Sequence, residues 1–227
     1  PAAGLEAMRL GRLTALRKSN GGVRGIVAGD VVRRLVSRTM AQRVSDEVEA
    51  ATSPHQYALS TRAGTECMSH LLRASTDLDD ELCILSVDGV GAYDHIKRSA
   101  MLEKLASLPH AKAILPFVRL SYGQASQYIW HDAKGIAHVI SQGEGGEQGD
   151  PLMPALYALA QHDALAAAQA QLRGGERVYA YLNDLYVTAA PERACAIFDI
   201  VSQEVAARAG VQTHRGKLRA WSRARAA

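Results

Sequence analysis

The sequence predicts an α+β protein in which a small antiparallel sheet packs on helices, and three observations lead there. A short, nearly continuous apolar run, Glu81 to Val87, has strand length and ends on Asp88, the pattern of a buried central strand. Two strand-like runs, Arg177 to Leu182 and Leu185 to Thr188, are separated only by Asn183-Asp184. Two polar residues between apolar runs signal a hairpin, although the usual second turn residue is Gly. Segments with helical spacing lie between the strands, which excludes a helix bundle or a closed barrel.

Taken in order, the chain up to about residue 75 reads as a loop followed by helices. Ser19-Asn20-Gly21-Gly22 is a turn cluster. Val32, Leu35, Val36 and Met40 recur near helical spacing within Val31 to Val44, and a second helix is expected from about Thr65 to Ala74. Beyond the central strand, Arg98 to Ser107 is helical up to Pro109, and Ala111 to Tyr122 ends at Gly123, which suits a left-handed C-cap. Gln127 to Trp130 and Ile136 to Ile140 flank a short polar connection and read as another hairpin. A glycine-rich turn, Gly143 to Gly149, leads into Pro151 and a long Ala/Leu helix to about Leu172, with Pro near the helix start where it is tolerated. Pro191 opens a helix that Gly210 closes, and Lys217 to Trp221 is a candidate last strand.

The 227 residues suffice for a core that needs no disulfide or metal to close. With 48% hydrophobic and 22% charged residues the chain is neither disordered nor collagen-like. Its longest apolar stretches are far short of the ~18 residues of a membrane span. The chain starts at Pro1, without a signal-like opening, and reads as a piece of a longer polypeptide. Cys67, Cys83 and Cys195 are odd in number and far apart, so neither a disulfide framework nor a zinc knuckle is indicated and a reducing intracellular compartment is expected. The net charge of +3 is unevenly spread. Up to residue 43, nine basic side chains (Arg9, Arg12, Arg17, Lys18, Arg24, Arg33, Arg34, Arg38, Arg43) oppose Glu6 and Asp30, and the last fifteen residues carry five more and no acid. Basic ends around a mildly acidic middle suit a polyanion held over an acidic, metal-binding centre; solvated helix faces are the other reading.

Asp88 at the end of a central strand and Asp184 on a hairpin turn are placed as proteins place two hard oxygen ligands for Mg²⁺. A helix cap and an ordinary turn are the alternatives. Four blocks follow in order: Asp88-Gly-Val-Gly-Ala-Tyr93-Asp94, Glu147-Gln148-Gly149-Asp150-Pro151-Leu152-Met153-Pro154, Tyr181-Leu182-Asn183-Asp184 and Gly216-Lys217. Their order and separation resemble motifs A to D of the reverse-transcriptase domain of non-LTR retrotransposons and group II intron-type enzymes. Ahead of them, Lys18-Ser-Asn-Gly-Gly-Val-Arg24-Gly-Ile-Val resembles the fingers loop of that family.

The resemblance implies a right-hand fold with fingers and palm: a partial fingers region over residues 1–79, and a palm over 80–227 interrupted by a fingers-like segment at about 97–144. It implies Mg²⁺, with Mn²⁺ as substitute, on Asp88 and Asp184; an RNA template, a DNA primer and a dNTP as partners; and no membrane. Tyr93 matches the steric gate under the sugar, with core packing as its other role. Gln148 and Gly149 match motif B, where the Gln amide and a backbone that must approach closely line the nucleotide and template strand, an approach only Gly allows. Arg24 and Lys18 correspond to groups that grip the triphosphate, and Gly25, where relatives carry Pro, implies a looser loop. Met153, where relatives carry Ser, implies tighter packing. Lys217 matches the motif D lysine that protonates pyrophosphate, or else contacts the phosphate backbone.

Asn183 departs from the family pattern, which has Asp there bridging two metals. Asn keeps one carbonyl oxygen and suits a turn, but loses the charge. The chain after Trp221 holds only six residues, so the expectation is that the primer-grip hairpin and thumb are missing. No RNase H or endonuclease pattern is present. The implied function is an RNA-directed DNA polymerase domain of an intracellular retroelement protein, impaired at motif C. The rival reading is a non-catalytic nucleic-acid-binding remnant, and a palm-like cyclase is disfavoured by Tyr93 and Gln148-Gly149.

Overall fold

The computed structural model describes residues 9–19, 21–59 and 61–223. Asn20 of the turn cluster, and Glu6 and Arg225 of the charge clusters, lie outside them. The chain opens on a hairpin rather than a loop: β1 (Leu10–Arg17) pairs antiparallel with β2 (Val23–Ala28), Arg12 opposite Ala28 through Arg17 opposite Val23. Most of β1 and half of β2 are solvent-exposed, so the apolar signature of a strand is missing from their sequence. Gly25 sits inside β2, opposite Ala15, and does not loosen a loop.

Helix α1 (Val31–Thr52) starts at Asp30, whose Oδ1 accepts from the Val32 and Arg33 amides at 2.8 and 3.3 Å. It runs beyond the expected Val44 because Val48 continues the buried stripe and no breaker intervenes before Pro54. Then follow α2 (Gly64–Leu78), β3 (Cys83–Asp88), the short α3 (Ala92–His95) and α4 (Arg98–Ser107). A 3₁₀ turn (Ala111–Ile114) leads into α5 (Leu115–Tyr122). Gly123 after α5 has φ −76°, not the left-handed cap expected; the glycine is needed because a Cβ would stand 2.5 Å from Arg119 O. The remaining elements are β4 (Ser126–His131), β5 (Ala137–Gln142), α6 (Met153–Gln169), β6 (Arg177–Tyr181), β7 (Asp184–Ala189), α7 (Ala194–Glu204) and β8 (Arg219–Ser222).

Two four-stranded sheets result, ordered β2-β1-β4-β5 and β6-β7-β3-β8. The second is antiparallel throughout; the first contains one parallel pairing, β1 with β4. Along β3, Cys83, Leu85 and Val87 point into the core and Asp88 does not. Helix α6 lies at the centre of that core, with α1, α4 and α7 packed on it. Its Ala/Leu composition leaves little polar surface, and Met153, Leu156, Tyr157, Leu159, Ala164, Leu165 and Ala168 are buried.

The first sheet and α1 are joined to the rest at the turn before α6. Arg33, one of the nine cations of the basic N-terminal stretch, is buried there rather than free for a polyanion: its guanidinium pairs with Glu147 at 2.9 Å and Asp150 at 3.2 Å. Tyr122 donates its hydroxyl to Asp150 at 2.7 Å beneath the Arg33 and Arg98 guanidinium groups. Arg98, also buried, donates to Gly145 O, Gln124 O and Ser126 Oγ. Leaving one of these charges unpaired in the interior costs about 3–5 kcal/mol, so the cluster fixes how the turn sits. Gly149 completes the joint by packing on the β2 backbone, where a Cβ would collide with Val27 O.

Gly149→Ala is therefore expected to lower stability by about 1–3 kcal/mol through overpacking. Gly143→Ala, on the same turn with nothing within 4 Å of the added methyl, should change it by less than about 0.5 kcal/mol. Urea unfolding of the two variants checks this, and equal effects would contradict the joint.

Candidate active site

The second sheet brings the two acids of the sequence reading face to face. Asp88 is the last residue of β3 and Asp184 the first of β7, and the two are directly opposite in the antiparallel register. The end of β3 is held by the chain leading to β8: His214 N–H donates to Asp88 O at 2.8 Å, Val90 N–H to Gln212 O at 2.7 Å, and Gly89 bridges to Thr213. The same segment delivers Lys217, whose ammonium donates to Asp88 Oδ2 at 2.6 Å.

The β6–β7 turn is offset by one residue from the expected Asn183-Asp184. Tyr181 pairs with Asp184, so the two turn residues are Leu182 and Asn183, and Asp184 belongs to the strand. Leu182 takes the positive φ of 54° that a hairpin of this length needs at its first turn position. Asn183 donates its side-chain amide to Asp184 Oδ1 at 3.3 Å. Partial burial, and secondarily the charge of Asp88, push the Asp184 carboxyl above the ordinary aspartate range.

Tyr93, on α3, stacks on Tyr157 of α6 with ring centroids 4.7 Å apart and planes 16° from parallel. Burial first, and the Asp184 charge second, raise the Tyr93 hydroxyl far above the usual phenol range. The glycine-rich turn is tied to the same helix: Gly146 N–H donates to Tyr93 O at 2.8 Å and Gly145 N–H to Ile96 O at 2.9 Å. A Cβ at Gly146 would collide with the thioether of Met153, which is fully buried. Gln148 is exposed between buried Glu147 and half-buried Gly149.

Asp88, Asn183, Asp184, Lys217 and Tyr93 thus form one cluster, and Gln148-Gly149 is linked to it through the turn. Lys18 and Arg24 are not part of the cluster. They stand at the β1–β2 turn, where with Leu16, Arg17 and Ser19 they line a cleft of 420 Å³. Among the described residues no acidic side chain pairs with either, so both cations are available. Sequence reasoning missed Tyr157 and Arg98. A lone aromatic within an Ala/Leu helix was the only signal for the first, and a helix-start Arg gives none for the second.

The donor set fits a hard divalent cation: two adjacent carboxylates, one of them with its proton affinity raised by burial and then by its neighbour's charge. Among the described residues no group of three or more His, Cys, Asp or Glu side chains is arranged to hold a metal, and the residue next to Asp184 is Asn183.

A family model described as reverse transcriptase (RNA-dependent DNA polymerase) matches residues 16–225. The 132 kDa protein of the retrotransposable element SLACS from Trypanosoma brucei gambiense is 28% identical over 180 residues, which is 79% of this chain and 15% of that protein. Telomerase from Candida tropicalis, solved in complex with a TWJ fragment of telomeric RNA, matches 97% of this chain and 42% of its own at a TM-score of 0.71 and 10% identity. Telomerase from Candida albicans, solved with the same kind of fragment, matches 97% and 43% at a TM-score of 0.66 and 12% identity. The likeness to the telomerases shows the right-hand polymerase fold. This chain spans less than half of each telomerase chain and about a seventh of the retroelement protein.

The raised Asp184 carboxyl makes a signed prediction. A carboxyl whose folded pKa lies above its unfolded value stabilises the fold below the unfolded pKa and loses that contribution as pH rises through the folded one. Asp184→Asn should therefore be more stable than the parent at about pH 7, with the difference vanishing at about pH 3. Thermal unfolding across that range checks it; a difference independent of pH would contradict it.

Proposed function

Because the chain belongs to the reverse transcriptase (RNA-dependent DNA polymerase) family, we propose that it is the fingers and palm of a retroelement polymerase, extending a DNA primer on an RNA template with dNTPs. The observation that carries this reading is the Asp88–Asp184 pair with Tyr93 beside it. Residues 1–79 are partial fingers and 80–227 the palm, with about 97–144 interleaved. The sharing of one sheet by β1, β2, β4 and β5 supports that division.

In this reading Asp88 and Asp184 hold Mg²⁺, or Mn²⁺ in its place. A metal held there would lower the pKa of a primer 3′-hydroxyl and neutralise the charge of the leaving pyrophosphate. The protein's own groups do the rest. Lys18 and Arg24 bind triphosphate oxygens, Arg24 through its planar fork and Lys18 as a point charge. Tyr93, held flat by Tyr157, lies under the sugar and excludes a 2′-hydroxyl. The exposed Gln148 amide lines the nucleotide and template. Gly149 keeps the turn close enough to β2 to present Gln148. Lys217 carries the proton for pyrophosphate and neutralises Asp88 until a cation arrives.

Asn183 weakens this machinery by removing one negative charge from the metal site. A loss of about 3–5 kcal/mol in transition-state stabilisation is on the order of a hundred- to several-thousand-fold in rate. The same residue favours a second reading, a nucleic-acid-binding remnant without turnover. No helix among the described residues is long and apolar enough to cross a membrane. Separately, the likeness to a retrotransposable element protein supports placing the chain inside the cell as part of a retroelement product.

Primer extension on an RNA template with Mg²⁺ and with Mn²⁺ tests the proposal. The parent and Asn183→Asp are compared in one fusion that supplies a duplex-binding segment. Asn183→Asp is expected to extend at least about a hundredfold faster. Equal rates would show that the lost charge does not matter, and no extension by either would favour the remnant.

A further inference from the structure

The connection between α1 and α2 has no role in the reading above, yet it reaches the turn that carries Asn183. Its residues 55–57 run along the free edge of β6, with Gln56 bridged in parallel to Ala180. Tyr57 N–H donates to Ala180 O at 2.9 Å and Ala180 N–H to His55 O at 2.7 Å, while His55 Nδ1 lies 3.0 Å from Val178 O. The connection is braced from behind as well: a Cβ at Gly64 would collide with Tyr57 O, and Thr61 Oγ1 donates to Glu49 at 3.0 Å.

This anchoring delivers the Gln56 side chain to the end of β6. Its Oε1 accepts from Leu182 N–H at 2.8 Å and from Ala58 N–H at 3.2 Å. Leu182 is the first residue of the two-residue turn, and the φ of 54° that it adopts is unfavourable for a residue with a branched side chain. The N–H of such a residue points away from the hairpin ladder and needs an outside acceptor. Gln56 provides that acceptor from within the protein, 93% buried, while its own Nε2 has no partner. Burial of an unsatisfied donor is unfavourable. A residue chosen only to fill space there would be apolar, so the acceptor oxygen is the reason for an amide at this position.

We propose that Gln56 is a positioning residue: it locks the Leu182–Asn183 turn and thereby sets the Asp184 carboxylate against Asp88. The inference rests on Asp184 being a working carboxylate, as proposed above, but its test reads the turn itself. The links run from the fingers side of the chain to the palm turn, so movement of the α1–α2 connection shifts the acid.

Amide hydrogen exchange followed by NMR tests this on the parent, Gln56→Met, which keeps length but has no acceptor oxygen, and Gln56→Glu, which keeps the oxygens. In Gln56→Met, exchange at Leu182 is expected to rise at least tenfold while the amides of α6 exchange as in the parent, and Gln56→Glu is expected to restore protection. Unchanged exchange at Leu182, or acceleration shared equally by α6, would overturn the proposal. Should Gln56→Met not fold, the parent decides alone: a through-hydrogen-bond coupling between the Leu182 nitrogen and the Gln56 side-chain carbonyl supports the lock, and its absence removes it. Failure of the parent to bind Mn²⁺ would count against the Asp184 assignment, while exchange at Leu182 would still decide whether Gln56 holds the turn.

Discussion

The register between β3 and β7 is the constraint on which the site depends. It sets Asp88 directly opposite Asp184. A slip of one residue would turn Leu85 and Val87 out of the core and carry both acids away from each other. The pairing is held where the apolar alternation is strongest, with Leu85, Val87, Leu185 and Val187 buried against α6 and α7. Hydrophobic burial on one face of the sheet therefore secures, on the other, an arrangement that electrostatics opposes. Among the described residues the like charges are balanced locally by Lys217 on Asp88 and by the Asn183 amide on Asp184. A centre with a charge deficit on this scale is suited to a cation.

A second constraint joins the N-terminal hairpin to this sheet. Arg33, Glu147, Asp150, Tyr122 and Arg98 form a buried polar cluster whose partners come from α1, α4, α5 and the turn before α6. Its members lie up to 117 residues apart in sequence. The cluster and the contact of Gly149 with Val27 hold the turn between the strand carrying Arg24 and the helix carrying Tyr93. Cationic groups of the hairpin and acidic groups of the second sheet thus belong to one framework without touching. Arg34, Arg38 and Arg43 of α1 are exposed, whereas Arg33 is withdrawn into the interior.

How much of this was legible in the sequence follows from which residues are buried. The central strand ending on Asp88 and the helix Arg98–Ser107 were readable because their apolar residues face a core, and the structure places them where periodicity did. The β1–β2 hairpin was not, because strands that bury only one residue each carry no alternation to read. The turn before Asp184 was misplaced by one residue because Leu is a poor turn former, and its positive φ is imposed by the hairpin and its surroundings. Of the site, the acids, Tyr93 and Lys217 were visible as motif residues. Tyr157, Arg98 and Gln56 act through contacts between distant segments, and nothing in their immediate sequence marks them. Gly149 was expected to permit a close backbone approach, and a Cβ there would meet the backbone of the protein's own β2.

The most direct test of the acidic pair as a cation site is divalent-cation binding by the protein alone, followed by Mn²⁺ paramagnetic resonance in the parent and in Asp88→Ala. Saturable binding at millimolar concentration or tighter that disappears in Asp88→Ala is the predicted result. No saturable binding, or binding indifferent to Asp88→Ala, would contradict it.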